Sequence, residues 1–198
     1  MILAILAHPD DEVFSCGGML ATHAISGEDV SVVVLSDGVK SRDEDAPDRW
    51  DEYTSACQAV GAKPLRLVRF RDQRAYKVDR LKLAKAVTKL VADLSPTLVY
   101  THFTGDLNVD HRRVAEAVLV ATRGVCPVRC VSPEWPDRSL LPWWPRMRQM
   151  RLTVAAQERR CKAAACYQSE LREWPHPRSL ERLRRESIEG YLEIPQWS

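Results

Sequence analysis

The sequence lacks several features that would place it in a common class of protein. No apolar stretch among its 198 residues approaches the roughly 20 that cross a membrane. No basic segment precedes the N-terminal apolar run, so we do not expect a signal peptide. The net charge is only +2, which argues against a nucleic-acid partner bound through phosphate neutralisation. We therefore expect a cytoplasmic protein without a membrane span.

The sequence also lacks the cysteine and glycine motifs of two familiar kinds of site. Cys126 and Cys130 form a C-x₃-C pair, but the second half of a zinc ribbon is missing. The other four cysteines lie in segments with helical patterns (Cys16, Cys57, Cys161, Cys166), and we favour reduced thiols. Cys16 is close enough to the acidic motif described below to be considered as a metal ligand. No Gly-x-Gly-x-x-Gly follows the first apolar run, which disfavours a metal-free nucleotide-binding module.

What is present is an alternation of strand and helix patterns, typical of a parallel sheet with helices on both faces. We predict a Rossmann-like doubly wound α/β fold with a mostly parallel sheet, forming a single domain over residues 1–198. The patterns predict strands at 2–6, 30–35, 65–68, 98–100 and 151–154. They predict helices at 12–26, 49–60, 81–94, 110–122, 156–171 and 179–191. Prolines and tryptophans between 133 and 148 indicate a long structured loop.

The most informative segment follows the first predicted strand. The apolar run 2–6 leads into His8, Pro9, Asp10 and Asp11. Parallel sheets place ligand sites just beyond the carboxyl ends of their strands. His8 and Asp11 could there bind a divalent metal from one side, which leaves Asp10 free to act as a base. Acidic residues at the start of a helix would give the same pattern, and both interpretations can hold together.

A second motif, Asn108-Val109-Asp110-His111, follows the fourth predicted strand. In a doubly wound sheet the first and fourth strands are neighbours where the winding direction reverses. We therefore expect His111 to meet His8 and Asp11, although an ordinary histidine at a helix start is the alternative. Two histidines and a carboxylate with open positions suit catalytic zinc, while iron and cobalt accept the same ligands. Asp110 would not bind the metal itself but would orient a neighbouring metal ligand.

Two other histidines, His23 and His102, are interpreted from their place in the predicted elements and not as metal ligands. His102 is expected at a strand end near the crevice, and His23 on a helix surface. The arginines near the C-terminus alternate with glutamates and are expected on a solvated helix face (Arg178, Arg182, Arg184, Arg185).

The paired motifs resemble those of the PIG-L/LmbE-like family of zinc-dependent de-N-acetylases. The specific matches are residues 7–12 and 106–112, and weaker matches continue in order at 36–38, Arg49 with Glu52, 70–72, 162–169 and 175–179. The resemblance implies zinc ligands at His8, Asp11 and His111 and a general base at Asp10. It also implies that Arg49 and Asp72 hold the hydroxyl groups of a sugar.

One position departs from that family's pattern. Many members have histidine where this chain has Asn108, and that histidine is thought to stabilise the oxyanion. Asn108 can donate a hydrogen bond but carries no positive charge. His176 would supply an imidazole if its loop folds over the crevice, whereas a structural Pro-His-Pro turn would have the same sequence.

The function implied is hydrolysis of an acetamide on an amino sugar or its conjugate, a small-molecule substrate. The alternatives are a metal-dependent amidase acting on a non-sugar N-acyl compound and a binding relative with weakened catalysis. We also predict that at least one of Trp135, Trp143 and Trp144 borders the substrate entrance as part of a lid. The sequence leaves the number of subunits open, a homo-oligomer included.

Overall fold

The computed structural model describes residues 1–38, 49–131 and 147–194. Its centre is a seven-stranded sheet in the order β3-β2-β1-β4-β5-β7-β6. Strands β1 to β5 are mutually parallel, while β7 runs antiparallel to both β5 and β6. The strands are Ile2–Leu6, Val30–Ser36, Lys63–Phe70, Leu98–His102, Val128–Val131, Arg148–Arg151 and Ile188–Ile194. The predicted α/β fold with a mostly parallel sheet is confirmed.

The central strands are buried on both faces, which explains their largely apolar sequences. Every residue of β1, β2 and β4 is buried. Because side chains alternate along a strand, Ile2, Ala4 and Leu6 enter one core cluster while Leu3 and Ile5 enter the other. Two apolar cores therefore sandwich the sheet.

Seven α-helices cover these two faces in the described residues. They are Asp11–Phe14 (α1), Gly17–Ile25 (α2), Trp50–Val60 (α3), Arg80–Leu94 (α4), Val109–Thr122 (α5), Val154–Cys166 (α6) and Leu180–Arg185 (α7). Helices α1, α2, α3, α6 and α7 contribute to the core on one face, and α4 and α5 to the core on the other. The winding therefore reverses between β1 and β4, which are hydrogen-bonded neighbours. No described helix has both the length and the apolar character that a membrane span requires.

The predicted helix at 12–26 is in fact two helices separated at Ser15 and Cys16. The carboxylate of Glu189 explains the second start, since it accepts hydrogen bonds from the backbone N–H of Gly18 at 2.9 Å and of Met19 at 2.7 Å. A carboxylate at this position satisfies the free N–H groups at a helix N-terminus and favours its positive end. A residue 170 positions away therefore determines where α2 begins.

The C-terminal third differs most from the prediction. The predicted helix at 179–191 ends at Arg185, and Ile188–Ile194 is strand β7 inserted between β5 and β6. Strand β5 was not predicted, and the strand expected at 151–154 lies at Arg148–Arg151. Thr153 caps the next helix by accepting a hydrogen bond from Ala156 N at 3.2 Å, so α6 starts earlier than expected. Pairing with distant strands outweighed the local helical pattern of 186–191.

Candidate active site

Two loops build the candidate site at the point where the winding reverses. The first follows β1 and carries His8 and Asp10, with Asp11 at the start of α1; the second follows β4 and carries Asn108, with His111 in the first turn of α5. The imidazole of His102, at the end of β4, ties the loops together by accepting a hydrogen bond from Ala7 N at 2.8 Å. The predicted meeting of the two motifs therefore occurs in the structure.

Three possible ligand atoms converge between these loops. His8 Nδ1 lies 3.4 Å from Asp11 Oδ2, and His111 Nε2 lies 3.3 Å from both His8 Nδ1 and Asp11 Oδ1. Ligands bound tetrahedrally to one ion at about 2.0–2.1 Å lie roughly 3.3 Å from one another. These distances are close to that spacing, and His8, Asp11 and His111 form one of the groups able to hold a metal.

A carboxylate backs each of the two histidines on the side away from the cluster. Asp106 Oδ2 lies 2.9 Å from His111 Nδ1, and Asp110 Oδ2 lies 3.1 Å from His8 Nε2. The other oxygen of Asp110 accepts a hydrogen bond from Ala75 N at 3.0 Å. Such carboxylates fix the tautomer and the ring orientation of a metal-binding histidine. Asp110 has the neighbour that the sequence predicts for it, and Asp106 occupies an equivalent position that sequence reasoning did not assign.

The pKa values of the cluster follow from burial and from these neighbours. Burial alone would lower the pKa of His111, but Asp11 and Asp106 outweigh it and raise the pKa to about 9. Burial likewise opposes the charged form of His8, yet hydrogen bonds to Asp11, Asp110 and Asp72 raise its pKa well above 6.5. For His102, which stacks on His111 at 3.8 Å, burial prevails and lowers the pKa to about 4.

Asp10, the predicted general base, lies beside this cluster in an unusual backbone conformation. Its φ of 105° falls in the left-handed region, which costs a residue other than glycine about 1–3 kcal/mol. The Glu12 side chain stabilises that turn by accepting a hydrogen bond from Asp10 N at 3.0 Å, and Tyr167 in turn donates its hydroxyl to Glu12 at 2.6 Å. Burial raises the pKa of Asp10, and it raises that of Glu12 to about 8.

The two residues expected to bind sugar hydroxyls, Arg49 and Asp72, also lie at the site. Arg49 Nη1 donates to Asp10 Oδ2 at 3.1 Å, and its Nη2 pairs with Glu170. Asp72 Oδ1 lies 3.1 Å from His8 Nε2. Both residues line a cavity of about 120 Å³, whose walls are formed by His8, Asp10, Asp11, Gly38, Arg49, Asp72, Gln73, Asn108, His111 and Arg178.

Asn108 faces the cavity and also starts helix α5. Its Oδ1 accepts a hydrogen bond from Asp110 N at 2.9 Å, as an N-cap residue does. With the oxygen held in this way, no described residue engages the side-chain NH₂ group, which remains available as a donor. The side chain therefore retains a hydrogen-bonding group for a ligand.

Three further side chains that the sequence singled out lie outside the cavity. His176 is exposed and does not line the cavity, because its Nδ1 accepts a hydrogen bond from Arg178 N at 3.1 Å within its own loop. His23 lies on α2 with its side chain 13% exposed, where it contacts Glu28 and the Tyr100 hydroxyl. Cys16 is a buried free thiol outside the groups able to hold a metal among the described residues. The tryptophan lid at Trp135, Trp143 and Trp144 lies outside the described residues.

Besides Asp106, sequence reasoning missed two charged residues of the site, Arg178 and Glu170. Arg178 was expected on a solvated helix face; it precedes α7 instead, and its guanidinium reaches Asp10 Oδ2 at 2.9 Å. Glu170 is buried and pairs with both Arg178 and Arg49. The only sequence signal was the position of these residues within or beside segments that resemble the family.

Comparison with known protein families identifies the family of this chain. A family model described as "PIG-L: GlcNAc-PI de-N-acetylase" matches residues 3–122, which include both site loops. This chain belongs to the PIG-L family. The match ends before Glu170 and Arg178, so membership itself says nothing about those two residues.

Curated relatives within this family carry deacetylase names. An uncharacterized deacetylase, YaiS of Escherichia coli K12, is 33% identical over 128 residues, which are 63% of this chain and 69% of the relative. A probable N-acetyl-alpha-D-glucosaminyl L-malate deacetylase 2 of Bacillus subtilis is 28% identical over 131 residues, 61% of this chain and 59% of the relative. The matched region therefore spans roughly three fifths to two thirds of these proteins.

Solved structures share the fold over nearly the whole chain. The N,N'-diacetylchitobiose deacetylase of Pyrococcus horikoshii superposes with a TM-score of 0.75 at 18% identity, covering 98% of this chain and 83% of that one. The 4-carboxy-2-hydroxymuconate hydratase GalB of Pseudomonas putida KT2440 gives 0.74 at 18%, covering 100% and 97%. Because one of these neighbours is named as a hydratase, the fold alone does not determine the reaction.

Proposed function

We propose that this protein is a metal-dependent hydrolase that removes an N-acetyl group from an amino sugar or an amino-sugar conjugate. The observation that carries the proposal is the convergence of His8 Nδ1, Asp11 and His111 Nε2 within 3.4 Å, with the carboxylate of Asp10 in the same cavity. The names of the curated relatives, which include an N-acetylglucosaminyl malate deacetylase, support an acetylated amino sugar as the substrate class.

His8, Asp11 and His111 would hold the ion, and zinc is our first choice for this ligand set. Bound there, it would lower the pKa of a water molecule towards about 7 and polarise the carbonyl of the acetamide. The carboxylates of Asp106 and Asp110 would keep the two imidazoles in the orientation that the ion requires.

The chain's own residues would carry the proton and bind the substrate. Asp10 would accept a proton from the attacking water and deliver it to the nitrogen of the leaving amine. The free NH₂ group of Asn108 would donate a hydrogen bond to the oxyanion of the tetrahedral intermediate. Arg49 and Asp72 would hold hydroxyl groups of the sugar. One water is consumed, the C–N bond of the amide breaks, and acetate and a free amine are the products.

Acetate release by the purified, metal-loaded protein tests this proposal. We expect release from N-acetylglucosamine conjugates, such as malate- and inositol-linked glycosides, and much less from N-acetyl amino acids. The His111→Ala variant and a chelator-treated sample are the controls, and both should be inactive. Release from the amino acids alone would indicate the non-sugar amidase, and binding of the sugars without release would indicate a weakened relative.

A further inference from the structure

The cavity receives one cation from the C-terminal part of the chain, Arg178. Its side chain is only 18% exposed, and its guanidinium lies 4.8 Å from the centre of the Phe14 ring. Arg178 Nη1 contacts Asp10 Oδ2 at 2.9 Å and Glu170 Oε2 at 2.6 Å. One nitrogen therefore links the predicted general base to a second, buried carboxylate.

Arg49 makes the same pair of contacts from the other side. Its Nη1 lies 3.1 Å from Asp10 Oδ2, and its Nη2 binds Glu170 Oε1. Two cations and two anions thus alternate in a closed ring, and each charge has an opposite charge on either side. Buried charges are retained only when paired in this way, because removing one partner leaves its neighbours uncompensated.

The ring distinguishes the two oxygens of the Asp10 carboxylate. Both guanidinium groups bind Oδ2, and no described residue binds Oδ1. The terminal torsion of an aspartate is soft, so a carboxylate without such contacts would rotate and exchange its oxygens. With Oδ2 held by two cations, Oδ1 is the oxygen left to exchange a proton with a ligand in the cavity.

We propose that Arg178, held in place by Glu170, is a positioning residue that fixes the Asp10 carboxylate with Oδ1 directed to the reacting groups. This inference rests on the proposed deacetylase function. It assigns a role in catalysis to the segment that follows α6, outside the region matched by the family model. A misplacement of about 1 Å at a reacting group can cost on the order of a hundredfold in rate.

The test is the Arg178→Ala variant, assayed with a sugar substrate that the wild-type protein deacetylates. We expect kcat to fall by about tenfold to a hundredfold, with KM and metal content close to those of wild type. Millimolar guanidinium should restore activity in a saturable manner by occupying the vacated site. The matched control is Arg185→Ala on α7, whose side chain is 63% exposed; it should keep the wild-type kcat and show no response to guanidinium.

A kcat within twofold of wild type, a loss confined to KM, or a loss that guanidinium does not reverse would each overturn the inference. If the alanine variant does not fold, Arg178→Gln carries the same expectations. A crystal structure of the variant gives a readout independent of activity, in which the Asp10 carboxylate should occupy a new or a second rotamer. An unchanged single rotamer would refute the positioning role, whereas an inactive wild-type protein would refute the proposed function instead.

Discussion

At the scale of single residues, Asp10 combines a left-handed backbone with a carboxylate held by two arginines. Strain of this kind persists only where surrounding contacts over-determine it. Glu12 supplies such a contact by accepting a hydrogen bond from the Asp10 backbone N–H, and Tyr167 holds Glu12 through its hydroxyl. A strained, buried carboxylate next to a candidate metal cluster is the arrangement expected of a residue that moves protons.

Replacing that carboxylate separates binding from chemistry. In the Asp10→Asn variant the side chain keeps its shape but can no longer accept a proton, so kcat should fall on the order of a hundredfold or more. The metal content, measured by elemental analysis, should remain that of wild type, because Asp10 is not among the three proposed ligands. A variant with unchanged kcat would show that another residue takes the proton.

The titration of the histidine ligands predicts how metal affinity depends on pH. Without metal, His111 has a pKa of about 9 and His8 a pKa well above 6.5, so both carry protons that a metal must displace. Affinity should therefore rise with pH between about 6 and 8, by roughly tenfold or more per unit. Competition with a chromophoric chelator measures this dependence.

The variant Asp106→Asn supplies a matched comparison for that experiment. Asp106 helps to raise the pKa of His111, so removing its charge should lower that pKa and flatten the pH dependence. Loss of the carboxylate should also weaken metal binding by about tenfold to a hundredfold. Affinities that do not change with pH in the wild-type protein would contradict the assignment of these histidines as ligands.

At the scale of elements, strand β7 and helix α2 depend on each other through Glu189. This residue is fully buried on β7, caps α2 through Gly18 N and Met19 N, and pairs with Arg160 Nε of α6 at 3.1 Å. Arg160 is itself 1% exposed. The last strand in the chain therefore stabilises α2, the second helix after β1.

The Glu189→Ala variant should consequently be strongly destabilised. It leaves Arg160 without its nearest anion and two helix N–H groups without acceptors, a loss of about 3–5 kcal/mol in the free energy of unfolding. Urea denaturation measures it. Glu181→Ala removes an exposed ion pair on α7 and should change the same quantity by less than about 1 kcal/mol. Equal stabilities of the two variants would contradict this role of Glu189.

At the scale of the whole molecule, a metal ion would connect loops from the two halves of the sheet. His8 and Asp11 follow β1, whereas His111 lies on α5 after β4, about a hundred residues later. An ion that binds only the folded chain stabilises it by mass action, by about 2.7 kcal/mol when its concentration is a hundred times its Kd. We therefore expect chelation to lower the melting temperature and zinc to restore it. His111→Ala should not respond in this way, and a wild-type melting temperature insensitive to metal would contradict the site.

The predicted metal ligands and the predicted base could be found from the sequence because they lie close in the chain to recognisable strands. The apolar runs 2–6 and 98–100 indicate buried strands. His8, Asp10 and Asp11 come soon after the first run, and His111 lies in the segment that follows the second. Once the sheet is doubly wound, the neighbouring positions of β1 and β4 bring these residues together without further information. Sequence therefore determined the core of the sheet and the meeting of the two motifs.

Only the tertiary structure decided which distant groups complete the site. Arg178 lies 168 positions from Asp10. The local sequence, in which arginines alternate with glutamates, does not indicate that one of these arginines contacts the site. The same holds for Glu189 and for β7, whose residues follow a helical pattern locally but pair with β5 and β6. Periodicity reports only which face of an element is apolar, whereas ion pairs and strand pairing depend on what the folded chain brings alongside.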